Sequence, residues 1–80
     1  MHENESKHYW LRKGEDVIHV QASGYQTDQG FCQIDATCDL HDRNFKFLGT
    51  LYALLGPVES EVRELESLGW RRVERNKGIA

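Results

Sequence analysis

Two cysteines and several histidines are the residues of this chain that could bind a metal. Cys32, Cys38 and His41 follow the spacing C-x5-C-x2-H, and His8 or His19 could supply a fourth ligand. A zinc site needs four convergent nitrogen or sulfur ligands, and its cysteines usually stand roughly two to four residues apart on a turn. The spacing here is wider, so a site would depend on how the chain folds between residues 32 and 41.

Three pairs of side chains could support nucleophilic or acid–base chemistry. Cys38 and His41 are three residues apart, and a histidine beside a thiol can activate it as a nucleophile. Asp39 could orient His19 for proton transfer if the two are neighbours. Asp35 and Asp39 would form a carboxylate pair if they share one face of a strand. On an open sheet without a cleft, such a pair serves solubility more simply than catalysis.

The segments that carry these side chains alternate between apolar and polar residues. The alternation covers residues 17–25 and 31–40 and predicts two strands, each with one packed and one exposed face. In the second strand the packed face carries Cys32, Ile34, Ala36, Cys38 and Leu40. The exposed face carries Gln33, Asp35, Thr37 and Asp39.

A short loop predicts how the two strands pair. Residues 27–30 (Thr-Asp-Gln-Gly) suit a three-residue hairpin loop with a left-handed glycine and a bulge, which would set Thr27 opposite Phe31. The pairs on the exposed side are then Tyr25 with Gln33, Ser23 with Asp35, Gln21 with Thr37 and His19 with Asp39. Those on the packed side are Gly24 with Ile34, Ala22 with Ala36, Val20 with Cys38 and Ile18 with Leu40. A slip of one residue would destroy the apolar match.

In this arrangement the two cysteines cannot act together. Cys32 and Cys38 would have Cα atoms about 20 Å apart at the rise of a strand, whereas a disulfide needs them within roughly 7 Å. Both would point into the core, which suits structural thiols in a reducing compartment. We therefore expect no metal, no cofactor and no enzymatic activity. A hydrolase-like site at Cys38 and His41, or at His19 and Asp39, is the alternative.

A helix is predicted at residues 57–68. Pro57 would stand at its first position, where a missing backbone N–H costs nothing. Gly69 would end it in a left-handed conformation. The apolar stripe of this helix consists of Val58, Val62, Leu65 and Leu68. Burying the stripe on the packed side of the hairpin would form the core.

Residues 42–55 have two interpretations. Their apolar side chains recur at helical spacing, at Phe45, Leu48, Leu51, Tyr52 and Leu55. Gly49 and Thr50 lie in the middle of the segment, where each is a poor helix former. A fourth strand, entered through a hairpin at residues 41–44, is therefore the competing interpretation, and both stay open.

Together these elements predict one small α+β domain over residues 1–80. It would be an antiparallel β-meander of three or four strands, with one or two helices packed on one face and a short C-terminal strand near residues 70–75. A first strand is expected around residues 8–12, where aromatic residues are enriched. Residues 1–7 and 76–80 are expected to be mobile tails.

Composition and charge bear on the class of partner. Hydrophobic residues make up 39% and charged residues 29% of the chain, a globular rather than a disordered balance. No apolar run approaches the ~18 residues of a membrane span, and the first residues lack the apolar core of a signal peptide. We therefore expect a cytoplasmic protein without a membrane partner. The net charge of −3 argues against a dedicated nucleic-acid binder.

These observations favour a small protein-binding module or inhibitor-like regulator that acts through the exposed polar face of the sheet. The predicted contact residues are His19, Gln21, Tyr25, Gln33, Asp35, Thr37 and Asp39. Their acidic side chains would favour a partner with a basic surface, and a homodimer joined by sheet edges is a further alternative. The alternative function is nucleic-acid binding through the basic cluster Arg71, Arg72, Arg75 and Lys77.

Overall fold

The computed structural model describes residues 3–74 and arranges them as a five-stranded antiparallel sheet with a helix on one face. The elements are β1 (Glu3–Lys13), β2 (Asp16–Thr27), β3 (Gly30–His41), β4 (Phe47–Ala53), α1 (Val58–Ser67) and β5 (Arg71–Val73). The strand order is β4-β3-β2-β1-β5, so the first four strands form a meander and β5 returns to the far side of β1. The predicted α+β meander is confirmed.

The segment with two interpretations is a strand, so the helical interpretation is wrong. β4 follows a loop at residues 42–46, in which the Asp42 carboxylate accepts hydrogen bonds from the backbone N–H groups of Asn44 and Lys46 at 2.8 and 3.0 Å. The hydrogen bond from Lys46, followed by that from Asn44, holds the pKa of Asp42 below its ordinary value. Because Asp42 stabilises a tight turn here, the chain reverses and pairs with β3.

The helix α1 packs its apolar side on the sheet, as predicted. Val58, Val62 and Leu65 are buried. They join a core whose sheet residues are Leu11, Ile18, Val20, Ala22, Ala36 and Cys38. Pro57 precedes the first helical residue as the N-cap, rather than occupying the first helical position. Leu68 also departs from the prediction, since the helix has ended by then and its side chain is 59% exposed.

The end of the helix is the glycine-terminated motif that the sequence predicted. Gly69 has φ +105° and donates its N–H to Glu66 O, while the N–H of Trp70 reaches back to Leu65 O. These two hydrogen bonds form a Schellman motif, which satisfies carbonyls that the helix leaves unpaired. Trp70 then packs against the core, and the chain enters β5.

The pairing of β2 with β3 follows the prediction over six pairs and departs from it near the turn. The confirmed pairs run from Ser23 with Asp35 to Ile18 with Leu40. Beyond Ser23 the register shifts by one residue, so that Gly24 faces Gln33, Tyr25 faces Cys32 and Thr27 faces Gly30. The extra residue on β3 is Ile34, which makes this irregularity a β-bulge.

Gly24 is the residue that permits the bulge. A Cβ atom at this position would lie 2.0 Å from the backbone oxygen of Cys32, closer than any non-bonded contact allows. The backbones of β2 and β3 approach each other too closely here for a side chain, so only glycine fits.

Because of the bulge, Cys32 and Gln33 point to the faces of the sheet opposite to those predicted. Cys32 is exposed and Ile34 is 62% exposed, so the prediction that both are buried is wrong. Gln33 turns to the helix side, so its predicted place on the exposed face is also wrong. Beyond the bulge the alternation holds, and Ala36 and Cys38 are buried as predicted.

The ends of the chain differ in part from the expectation. β1 begins at Glu3, so the predicted tail at residues 1–7 is wrong from that residue onward. Residues 76–80, the other predicted tail, lie outside the described residues. The short C-terminal strand is confirmed as β5, which pairs with β1. Between residues 3 and 74, no helix is long and apolar enough to cross a bilayer.

Candidate functional site

The face of the sheet opposite α1, which we call the open face, is covered on one side by aromatic rings. Trp10 lies at their centre, stacked on His19 with centroids 4.2 Å apart. His41 and Phe45 lie edge-to-face with Trp10, with ring centroids 4.7 and 5.3 Å from that of Trp10. His8 stacks on the same His19 at 5.0 Å, and His8 Nδ1 lies 2.9 Å from His19 Nε2. This ring cluster (His8, Trp10, His19, His41, Phe45 and Phe47) covers the part of the open face nearest the loop at residues 42–46.

Asp39 is buried on this face rather than exposed, which corrects the prediction. Its side chain is 5% exposed, and Oδ2 accepts hydrogen bonds from Gln21 Nε2 at 2.8 Å and Thr37 Oγ1 at 3.5 Å. Oδ1 is also buried and accepts no hydrogen bond from the described residues. The predicted acidic pair is therefore reduced to Asp35, which is exposed.

The other part of the open face, next to the β2–β3 turn, is a shallow groove. One section of it, about 700 Å³ in volume, is lined by Asn4, Glu5, Ser6, Ser23, Gly24, Tyr25 and Ile34. A neighbouring section of about 300 Å³ shares Ser6 and Ser23 and extends to His8, Gln21, Asp35 and Thr37. We call the two sections together the hairpin groove. Apart from Tyr25 and Ile34, its walls present mainly small and polar residues.

The structure distributes the seven predicted contact residues over three environments. Gln21, Asp35 and Thr37 line the hairpin groove, as does the exposed Tyr25. His19 and Asp39 belong to the ring-covered part of the face, and Gln33 leaves the face altogether. Ile34 was missed as a candidate. The signal that could have found it is Gly24, because a glycine inside a strand often marks a bulge.

Gln33 has a structural role at the start of α1. Its Oε1 accepts the N–H of Val58 at 2.9 Å, and its Nε2 donates to Gly56 O at 2.8 Å. The first N–H groups of a helix have no partner within it, and the N-cap Pro57 makes no side-chain hydrogen bond to them. A residue on β3 thus supplies the cap, which explains why Gln33 points away from the open face.

The candidate nucleophile and its candidate base lie on different faces of the sheet. Cys38 is fully buried in the core under α1, and this burial raises the pKa of its thiol. His41 packs against Trp10 and Phe47 on the open face. Cys32 and Cys38 are both free, and they also lie on opposite faces. Within residues 3–74 no group of histidine, cysteine or carboxylate side chains is placed to bind a metal ion.

The basic cluster is described only in part. Arg71 and Arg72 are exposed on β5, whereas Arg75 and Lys77 lie outside the described residues. Arg72 is engaged on the helix side of the sheet, with Nε 3.0 Å from Glu66 Oε2 and its guanidinium 5.2 Å from the Tyr9 ring centroid. Contacts with an acid and a ring leave this arginine less available for a phosphate.

The open face therefore has two parts that differ in exposure. Its ring cluster is packed against itself, and its hairpin groove is open to solvent with one bulge-exposed isoleucine. Comparison of the chain with family models, with curated proteins and with solved structures gives no match.

Proposed function

We propose that this protein is a small protein-binding module or inhibitor-like regulator, and that its partner docks in the hairpin groove. The observation that carries the proposal is the bulge that leaves Ile34 62% exposed beside Tyr25 on an otherwise polar surface. Bulges are over-represented where a strand re-aims a side chain next to a functional site. An isoleucine that a bulge keeps exposed to solvent is a candidate anchor for a partner.

The shape and lining of the groove favour a protein over a small molecule. Small-molecule sites are concave and enclose most of their ligand, whereas this groove is broad and shallow. Protein interfaces have an apolar centre within a polar rim. Tyr25 and Ile34 would supply the centre. The rim would consist of Asn4, Ser6, Ser23 and Asp35.

The charge at the rim selects the kind of partner. Glu5 and Asp35 are exposed acidic residues that line the groove, and no lysine or arginine is among its lining residues. Complementary charges across an interface increase the association rate and exclude wrong partners. We therefore expect a partner that presents an apolar side chain flanked by lysine or arginine.

The test compares the wild-type protein with Ile34→Lys and with a matched control, Leu68→Lys. Leu68 is as exposed as Ile34 but lies beyond the end of α1, away from the groove. Proteins from the native host that the wild type captures would be purified, and the wild type and both variants would be titrated against them by calorimetry. Loss of an interface anchor should weaken the Kd by about 30-fold or more. Equal Kd values for the two variants would contradict the proposal.

A second substitution tests the charge of the rim separately. Asp35→Arg should weaken association with the same partner while the melting temperature stays within about 3 °C, as for most exposed substitutions. The wild-type protein would also be titrated with labelled single-stranded DNA and RNA in dilute buffer. Binding that falls steeply with salt would favour the basic cluster and the nucleic-acid alternative instead.

A further inference from the structure

The strand β4 forms one edge of the sheet and exposes an unusual number of large apolar side chains. Among residues 3–74 its backbone pairs with β3 alone. The exposed side chains are Phe47, Leu48, Leu51 and Tyr52, each between 41% and 57% exposed, and Leu55, which is fully exposed. Residues 47–58 contain no charged side chain, although 29% of the protein is charged. We call these five side chains, with the backbone of β4, the apolar edge.

Two bulges place leucines outside the pairing of β4 with β3. Tyr52 faces Cys38 and Thr50 faces Asp39, so Leu51 is an extra residue between them. Leu48 is extra in the same way, between Gly49 and Phe47. Neither leucine belongs to the core of the chain, and both are half-exposed. An exposed apolar edge of this kind is a template for pairing with another strand, and soluble proteins normally block it.

We propose that a second copy of this chain pairs with the apolar edge, antiparallel and about a two-fold axis at Thr50. In this register Phe47 lies opposite Ala53 and Leu51 lies opposite Gly49, so two large residues meet small ones, while Leu48 lies opposite Tyr52 as an apolar–aromatic pair. Thr50 lies opposite its own copy, a favourable cross-strand pair. The edge is thus complementary to itself, as a two-fold interface requires.

The absence of charge favours a second copy over a different partner. A charged strand would have to bury its charges against the leucines and Phe47, which is costly. The carboxylate beside the edge, Glu61, already accepts a hydrogen bond from the Tyr52 hydroxyl. A second copy brings no charge between residues 47 and 58. The apolar area of the edge is at the lower end of the range for a specific interface. At the scale of large side chains, the edge offers on the order of 500 Å² per copy, before the backbone is counted, against about 800 Å² per partner in a standard interface.

The opposite edge of the sheet explains why association would stop at two copies. That edge consists of β5, which has three residues and carries the exposed Arg71 and Arg72, and of residues 3–9 of β1, which β5 does not pair with and which carry Glu5 and Lys7. Short length and charge are the features that prevent edge pairing. Within its described residues, each chain therefore has one edge suited to strand pairing. A dimer uses this edge of each copy and leaves none for a third. The apolar edge is separate from the hairpin groove, so this proposal is independent of the proposed function.

The first experiment measures the mass of the full chain by light scattering and sedimentation over a range of concentrations. We expect twice the 9.3 kDa of one chain, with Leu51→Lys raising the dimer Kd at least about 100-fold. Leu68→Lys, which exposes the same new charge away from β4, should leave the Kd unchanged. Circular dichroism and the melting temperature confirm that each variant is folded. A wild type that remains monomeric at ~1 mM, or a Leu51→Lys variant that dimerises equally well, overturns the proposal.

The second experiment locates the axis by cross-linking in a Cys32→Ser background. With the axis at Thr50, the two copies of residue 50 have Cα atoms about 5 Å apart, within disulfide range. The two copies of residue 53 are about 20 Å apart. Oxidation should therefore link Thr50→Cys into a covalent dimer and leave Ala53→Cys unlinked. Equal linking of both, or linking of Ala53→Cys alone, overturns the axis. Loss of partner binding in Ile34→Lys without loss of the dimer keeps the two proposals distinguishable.

Discussion

Residues 30–33 and residues 35–41 lie on one strand, β3, but place similar side chains in opposite environments. In the second group Cys38 is in the core, and the polar residues face the open side. In the first group Cys32 is exposed, and the polar Gln33 points toward α1 to cap it. The difference comes from one extra residue, Ile34, and from the glycine that faces the bulge. In β3 the position relative to the bulge, rather than the residue type, therefore determines which side chains are buried and which are exposed.

The two cysteines give the largest expected contrast between these parts of β3. With an aromatic disulfide reagent, Cys32 should react at once, while Cys38 should react only when the protein opens. Burial also raises the pKa of Cys38 and lowers its thiolate fraction. We expect rates that differ on the order of 1000-fold or more. Single-thiol variants, Cys32→Ser and Cys38→Ala, assign the two phases, and similar rates for both thiols would contradict the bulge.

The bulge itself can be broken by Gly24→Ala. The added Cβ would lie 2.0 Å from the Cys32 oxygen, so the hairpin must shift, at a cost of about 3 kcal/mol or more. Urea denaturation measures this loss. Gly56→Ala is the matched control, because a Cβ there meets nothing within 4 Å and the expected change is within about 0.5 kcal/mol of zero. Equal stability of Gly24→Ala and wild type would show that the close approach is absent.

The helix cap made by Gln33 is a third difference between the two parts of β3, and removing it should have a smaller effect on stability. Gln33→Leu removes both hydrogen bonds and leaves the Val58 N–H unpaired, so the free energy of unfolding should fall by about 1–2 kcal/mol. Gln33→Glu keeps an acceptor for Val58 at the positive end of the helix but cannot donate to Gly56. Its loss should be smaller, below about 1 kcal/mol. An unchanged denaturation midpoint for Gln33→Leu would mean that the cap does not contribute.

The sequence predicted six pairs of β2 with β3 correctly, from Ser23 with Asp35 to Ile18 with Leu40. In this stretch apolar pairs alternate with polar ones, and a slip would bury polar side chains. The shift at Gly24 was not predicted, since alternation reports the faces of one strand and not the distance between two backbones. β4 was ambiguous for a related reason. Its exposed, twice-bulged backbone leaves no regular alternation to recognise.

The candidate site was predicted only in part. Tyr25 and Asp35 are exposed at the hairpin groove, as the alternation indicated. Asp39 was expected to be exposed but is buried beside the ring cluster, whose centre is Trp10. The side to which Trp10 points depends on the pairing of β1 with β2, which no turn or burial pattern specified. The alternation along β3 alone does not show that side chains from a neighbouring strand bury Asp39.

The return of β5 to the sheet has a consequence for how the molecule assembles. Each other described strand pairs with its neighbour in the chain, whereas Val73 pairs with Trp10, more than sixty residues away. Contacts between distant residues require a large loop to close, so they form after local hairpins. The meander of β1 to β4 can therefore organise first, and β5 docks on β1 only after α1 has crossed the sheet. The connectivity makes β5 the last strand to gain its partner and the first to lose it on unfolding.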